Sequence, residues 1–286
     1  MAKPEPKPKQ EVCPTSSSPA GLPKKQHELF RDVLALFEGA GLPYAVAGAF
    51  ALREHTGVCR FTKDLDLFLG PEAASEALAI LREEGFTCEI RDPVWLAKAH
   101  RDGFFVDLIT GMSNGVMSVD PSWIARARRT HVLGVQTRVL APEELLASKL
   151  FVIRRERFDG ADIAHILLAT RGNLDWYRIL ELVGEHWELL LWALMLFRYV
   201  YPSHSNYVPQ FLWQGLLGRF SDQVQHPNSG GGFRGGLIDD ATFAIDVEEW
   251  GFEDILSEHR ARRVKIEDVP GSGRRLQMAA PRKAAE

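Results

Sequence analysis

Cysteine is scarce in this 286-residue chain: Cys13, Cys59 and Cys88 are odd in number and show no Cys-x-x-Cys or Cys/His spacing. A disulfide framework and a Cys-based structural zinc site are thereby excluded, and a reducing, cytoplasmic setting is the expectation. Long apolar runs are lacking too. The most apolar one, from Leu189 to Phe197, is about half of what a bilayer requires, so no membrane association is expected and the run reads as a buried helix. The glycine-rich stretch from Gly230 to Gly236 is not followed by Gly-Lys-Ser/Thr, which excludes a P-loop. It reads as a mobile loop whose Arg234 is a candidate substrate contact. His-Glu-x-x-His and Gly-x-Ser-x-Gly are both absent, so the nine histidines read as core or surface residues and no serine sits in a nucleophile elbow. No internal repeat is visible.

Positive charge is short overall, with a formal net of −4, and it is unevenly placed. Residues 1–25 and 259–286 together carry +8, which leaves the body near −12. An acidic body argues against a DNA or RNA track across the fold, because such binding draws most of its affinity from Lys and Arg on phosphates. The two tails read as solvated, disordered ends. With 45% hydrophobic and 25% charged residues, the composition is that of a globular protein with one sizeable core and a further helical unit.

What is present converges on two stretches about fifteen residues apart. In the first, the apolar run Tyr44-Ala45-Val46-Ala47 ends at Gly48, after which residues 50–54 have helical composition. That pattern predicts a strand-to-helix turn whose free amides at Gly48 and Ala49 cradle a phosphate. In the second, Asp64-Leu65-Asp66-Leu67 alternates along a strand, placing both carboxylates on one face and both leucines on the other. Paired carboxylates with hard oxygen donors suit Mg²⁺ or Mn²⁺. A lone Asp-x-Asp is more often a solvated strand end. A third acid on a later strand from Phe104 to Ile109, Asp107, shares its face with Phe105 and can join the pair, which favours a metal site.

The remaining pattern predicts a helix over 27–39, strands over 44–47, 64–69, 86–90 and 104–109, and a helix opening at Pro71 that Gly85 stops. A loop is expected around Asp92-Pro93, and a single strand over 131–140. Ala141-Pro142-Glu143-Glu144 opens a helix that carries Lys149. Lys149 reads equally well as a surface lysine and as a contact for the triphosphate. Glycine at 160 is expected to interrupt a helix on which Asp159 and Asp162 share a face, as partners for Arg155 and Arg157 or as an acidic pair behind the site. The organisation is therefore an unstructured tail (1–25), an α/β core (26–140), a helical C-terminal region (141–258) with the glycine-rich loop 226–236, and a basic tail (259–286).

The sequence Gly48-Ala49, then Asp64-Leu65-Asp66, then Asp107 resembles the pattern of the polymerase-beta-like nucleotidyltransferase superfamily. Within it, Ala51-Leu52, Arg60-x-Thr62-x-Asp64 and the segments 148–151 and 157–162 make the chain similar to abortive-infection (AbiEii-like) and related uncharacterised nucleotidyltransferases. The resemblance covers roughly residues 26–170. It implies a small mixed sheet flanked by helices and followed by a helical region, and transfer of a nucleoside monophosphate from an NTP to an acceptor hydroxyl on RNA, a protein or a small molecule. In that reading Asp64, Asp66 and Asp107 are the catalytic and metal-holding residues, and Gly48, Ala49, Arg60, Thr62 and Lys149 bind the nucleotide. Many superfamily members carry Ser or a second Gly where this chain has Ala49, which keeps the backbone donor but supplies no hydroxyl. The alternative is a weakly catalytic or non-catalytic nucleotide-binding module of toxin–antitoxin type.

Overall fold

Apolar residues at helical spacing in the first described segment form α1 (Lys24–Ala40), which buries Leu29, Phe30, Val33, Leu34 and Phe37. Gly41, at φ 70°, then ends the helix in the left-handed conformation. This computed structural model describes residues 22–60, 62–227 and 231–269. Expectations for residues 1–21, for 228–230 of the glycine-rich segment and for 270–286 of the basic tail lie outside the described residues.

The chain continues through β1 (Tyr44–Val46), α2 (Gly48–Thr56), β2 (Asp64–Leu69), α3 (Pro71–Glu83), β3 (Thr87–Asp92), β4 (Leu96–Arg101) and β5 (Phe104–Ile109). After α4 (Pro121–Arg126) come β6 (Arg128–Val132) and β7 (Val135–Val139). These strands make one mixed seven-stranded sheet in the order β3-β4-β5-β2-β1-β7-β6. The pairs β2/β5 and β1/β7 are parallel and the others antiparallel. Leu65, Leu67, Val106 and Leu108 are fully buried in the core beneath the two central parallel strands. The alternate positions carry the acids.

A helical region follows: α5 (Pro142–Lys149), a small hairpin of β8 (Ile153–Arg154) and β9 (Arg157–Phe158), then α6 (Gly160–Thr170), α7 (Trp176–Val183), α8 (Trp187–Val200) and α9 (Gln210–Gln225). The short helices α10 (Gly235–Asp239), α11 (Ala244–Glu248) and α12 (Leu256–Ala261) and a 3₁₀ turn over Ile266–Asp268 complete the described chain. Helix α2 packs on both α5 and α6, so the glycine-led turn, the sheet and the helical region meet at one place.

Three expectations are corrected. The segment read as a loop after Asp92 contains β4, joined to β5 by Asp102-Gly103 at φ 56° and 82°, a two-residue turn with both residues left-handed. The segment read as one strand over 131–140 is the hairpin β6–β7, turning at Leu133-Gly134 with φ 52° and 81°. Gly160 begins α6 rather than interrupting a helix, because the residues before it pair in the β8–β9 hairpin, and a Cβ at this position would collide with the Phe158 ring and Leu196.

Candidate active site

Strand β2 presents Asp64 and Asp66 on one face, and parallel pairing sets Asp66 directly opposite Asp107 of β5. One carboxylate oxygen from each of the three lies within 4.8 Å of the others. This crowding has an electrostatic signature. Burial pushes the Asp66 carboxyl up to about 7, the charges of Asp64 and Asp107 push it the same way, and Arg157 and Lys149 oppose them. Burial also raises Asp107, against the hydrogen bond and charge of Lys98. Three acids that strain against their own ionisation, with hard oxygen donors converging, fit a divalent cation of the Mg²⁺ or Mn²⁺ kind.

Gly48 is required by this arrangement for two reasons. Its φ is +54°, and a Cβ built on it would lie 1.7 Å from Oδ2 of Asp66. The carboxylate thus occupies the space that any side chain at position 48 would fill. Helix α2 starts at Gly48 with no side-chain cap on its first turn, so the amides of Gly48 and Ala49 have no intrahelical acceptor.

The other residues singled out from the sequence are placed as follows. The Thr62 hydroxyl donates to Oδ1 of Asp64 at 2.7 Å and to its backbone oxygen at 3.0 Å, which orients that carboxylate. Arg60 pairs with Asp162 of α6. Lys149 is buried and its ammonium donates to Oδ2 of Asp159 at 2.8 Å and to Oδ2 of Asp162 at 2.7 Å. Asp159 also accepts from Arg157. Asp162 therefore pairs with Lys149 and Arg60 rather than with Arg155, whose backbone N–H donates to Asp239. Arg234 pairs with Glu185 and Glu188.

Lys98 escaped the sequence reading, and Arg157, read there as a partner for Asp159 or Asp162, pairs with Asp159 and also acts on the catalytic acids through its charge. Lys98 of β4 stands opposite Asp107 in register and donates to both of its carboxylate oxygens, at 2.7 and 2.8 Å. Its ammonium also lies 5.1 Å from the Phe105 ring centroid. Arg157, two-thirds exposed, is held firmly protonated by its hydrogen bond to Asp159 and by the charges of Asp66 and Asp64. The signal for Lys98 was the Asp102-Gly103 turn, which fixes the register of the strand before it on Asp107. Nothing local distinguishes Arg157 from the neighbouring arginines.

Paired carboxylates on one strand, a third on its parallel neighbour and a glycine-led helix start beside them define the class of enzymes that transfer nucleotidyl groups. The chain belongs to the family of uncharacterised nucleotidyltransferases, whose sequence profile matches residues 24–199. No curated protein matches the sequence. Among solved structures it is similar to the antibiotic-resistance factor ANT(2'')-Ia, with 18% identity and a TM-score of 0.41 over 56% of this chain and 90% of that one. It is also similar to the lincosamide antibiotic adenylyltransferase LnuA, with 18% identity and a TM-score of 0.38 over 51% and 96%. A third is an antigenic nucleotidyltransferase-like protein from Paracoccidioides brasiliensis, with 18% identity and a TM-score of 0.40 over 65% and 93%.

Proposed function

We propose that the chain transfers a nucleoside monophosphate from an NTP to an acceptor hydroxyl in a reaction that depends on Mg²⁺ or Mn²⁺. The acceptor oxygen forms a bond to the α-phosphorus, the bond from that phosphorus to the bridging oxygen breaks, and pyrophosphate leaves. The observation that carries this reading is the meeting of Asp64, Asp66 and Asp107 within 4.8 Å. These three residues would hold the cation, which when bound neutralises triphosphate charge and lowers the pKa of the acceptor hydroxyl.

The chain's own groups do the rest. Gly48 and Ala49 point unshared amides at the β- and γ-phosphates, where they need no reorganisation as charge develops on the leaving group. Thr62 fixes Asp64 and Lys98 fixes Asp107. Arg60 and Arg157, both substantially exposed, supply the cations for an incoming triphosphate. Lys149 acts from behind them, holding Asp159 and Asp162, to which those arginines are tied. An acidic body with a net charge near −12 favours a small-molecule or protein hydroxyl over a long nucleic-acid track, with a single RNA end as the other acceptor class. Kinship with the abortive-infection branch and a cytoplasmic setting belong to the same proposal, whereas a weakly catalytic or non-catalytic module of toxin–antitoxin type, favoured by the missing hydroxyl at Ala49, is the alternative to it. The kinship rests on Ala51-Leu52, Arg60-x-Thr62-x-Asp64 and the segments 148–151 and 157–162.

Incubating the protein with α-³²P-labelled NTPs and fractionated cell extract tests the reading. Label should enter an acceptor when Mg²⁺ or Mn²⁺ is supplied, and not with Asp64→Asn. Release of free NMP with no labelled acceptor in any fraction would make the protein a hydrolase instead.

A further inference from the structure

A second cluster of ligand-bearing side chains lies away from the three acids. The 3₁₀ turn Gly184–His186, between α7 and α8, brings Glu185 and His186 to face His259 of α12, and one potential ligand atom from each lies within 4.8 Å of the others. The two imidazole rings sit 5.7 Å apart at 57°, and His186 is wedged edge-on against Phe151 at 5.3 Å. His186 is buried and His259 half-buried.

We propose that Glu185, His186 and His259 form a binding site for a borderline divalent transition metal, Zn²⁺ foremost, that fastens α12 to the helical region. Two nitrogen donors and one carboxylate suit Zn²⁺ with a water in the fourth position, whereas Mg²⁺ prefers all-oxygen sites such as the three aspartates. Glu185 presently pairs with Arg234 at 3.0 Å, but Arg234 also reaches Glu188 at 3.6 Å and so keeps a carboxylate when Glu185 turns to the ion.

The consequence is mechanical. Arg260, next to His259, donates to Asp92 at 2.9 Å and to the Ser113 carbonyl, and Arg263 donates to the carbonyls of Gly115 and Val116. Gly115 lies directly beneath α12, where a Cβ would meet the Arg260 backbone at 2.9 Å. Segment 113–116 follows β5, the strand of Asp107, so α12 already spans from the catalytic sheet to the turn that carries His186. The ion would close that strap at its other end.

Zinc titration of the chelator-stripped full chain against a chromophoric competitor, in excess Mg²⁺, tests this. A single Zn²⁺ should bind and raise the melting temperature, as ligand linkage requires. His259→Gln should weaken binding by more than the ~10–100-fold typical of losing an outer-sphere partner, and Asp64→Asn/Asp66→Asn should leave it unchanged. Co²⁺ substitution should give a visible absorption band that His259→Gln removes. Because His186→Gln alters a buried position, the half-buried His259 carries the test. No Zn²⁺ binding in excess Mg²⁺, unchanged affinity in His259→Gln, or loss only in the aspartate double variant would each overturn the proposal. Nucleotidyl transfer in Mg²⁺ stands or falls separately.

Discussion

Asp66 is the residue in which the site's electrostatics are most concentrated. Its carboxyl keeps a proton in the folded chain up to about 7, while the unfolded chain releases it in the ordinary carboxylate range. Across that interval the folded state binds more protons, so without divalent cation the protein should lose stability as pH rises, by up to ~1.4 kcal/mol per pH unit. Asp66→Asn should flatten this slope, and added Mg²⁺ should stabilise the wild type more at pH 8 than at pH 5, because the cation takes the ionised acid. Thermal melts across that range, with and without Mg²⁺, check both. Gly48→Ala should destabilise the fold by at least ~1 kcal/mol, since it places a Cβ at positive φ and on top of the Asp66 carboxylate. Denaturant unfolding together with turnover should show both losses. The glycine and the acids were legible because each follows from a local rule, alternation in a strand and a glycine at a strand-to-helix turn. Lys98 was not, because its relation to Asp107 exists only across a strand pair.

At the scale of elements, β2, α3 and the starts of α2 and α5 could be placed from sequence to within a residue or two, from alternation, a proline at the helix start or, for α2, the glycine at its turn. Strand β4 could not. Its fully buried face consists of Ala97 and Ala99, too small to give a hydrophobic alternation, and the turn residues Asp102-Gly103 were the stronger signal. The hairpin β6–β7 was merged for a related reason: Leu133 at φ 52° sits in a turn conformation that leucine seldom adopts. The junction of α5 and α6 yields a prediction of its own. Lys149 is buried against Asp159 and Asp162, so Lys149→Met leaves two buried carboxylates leaning on Arg157 and Arg60 alone and should cost ~3 kcal/mol of stability. Adding Asp162→Asn should recover part of that cost. A double-mutant cycle by denaturant unfolding measures it, and a Lys149→Met protein of unchanged stability would show that the buried pairs add nothing net to the fold.

Across the whole molecule, one place joins the parts: the central parallel strands supply the acids, α2 supplies free amides, and the packing of α2 on α5 and α6 brings the arginines to the rim. The central claim is that these acids serve nucleotidyl transfer through a shared cation, and Asp107 discriminates it best. Asp64 and Asp66 remain as ligands when Asp107 is neutralised, so Asp107→Asn should bind NTP with nearly wild-type affinity while its transfer rate falls at least about a hundredfold, the equivalent of ~2.7 kcal/mol of lost transition-state stabilisation. Measuring the NTP dissociation constant and the single-turnover rate in Mg²⁺ for wild type and Asp107→Asn is the most direct test. Intact binding with collapsed turnover is the predicted result; equal rates would contradict the account and leave Asp107 as no more than the partner of Lys98.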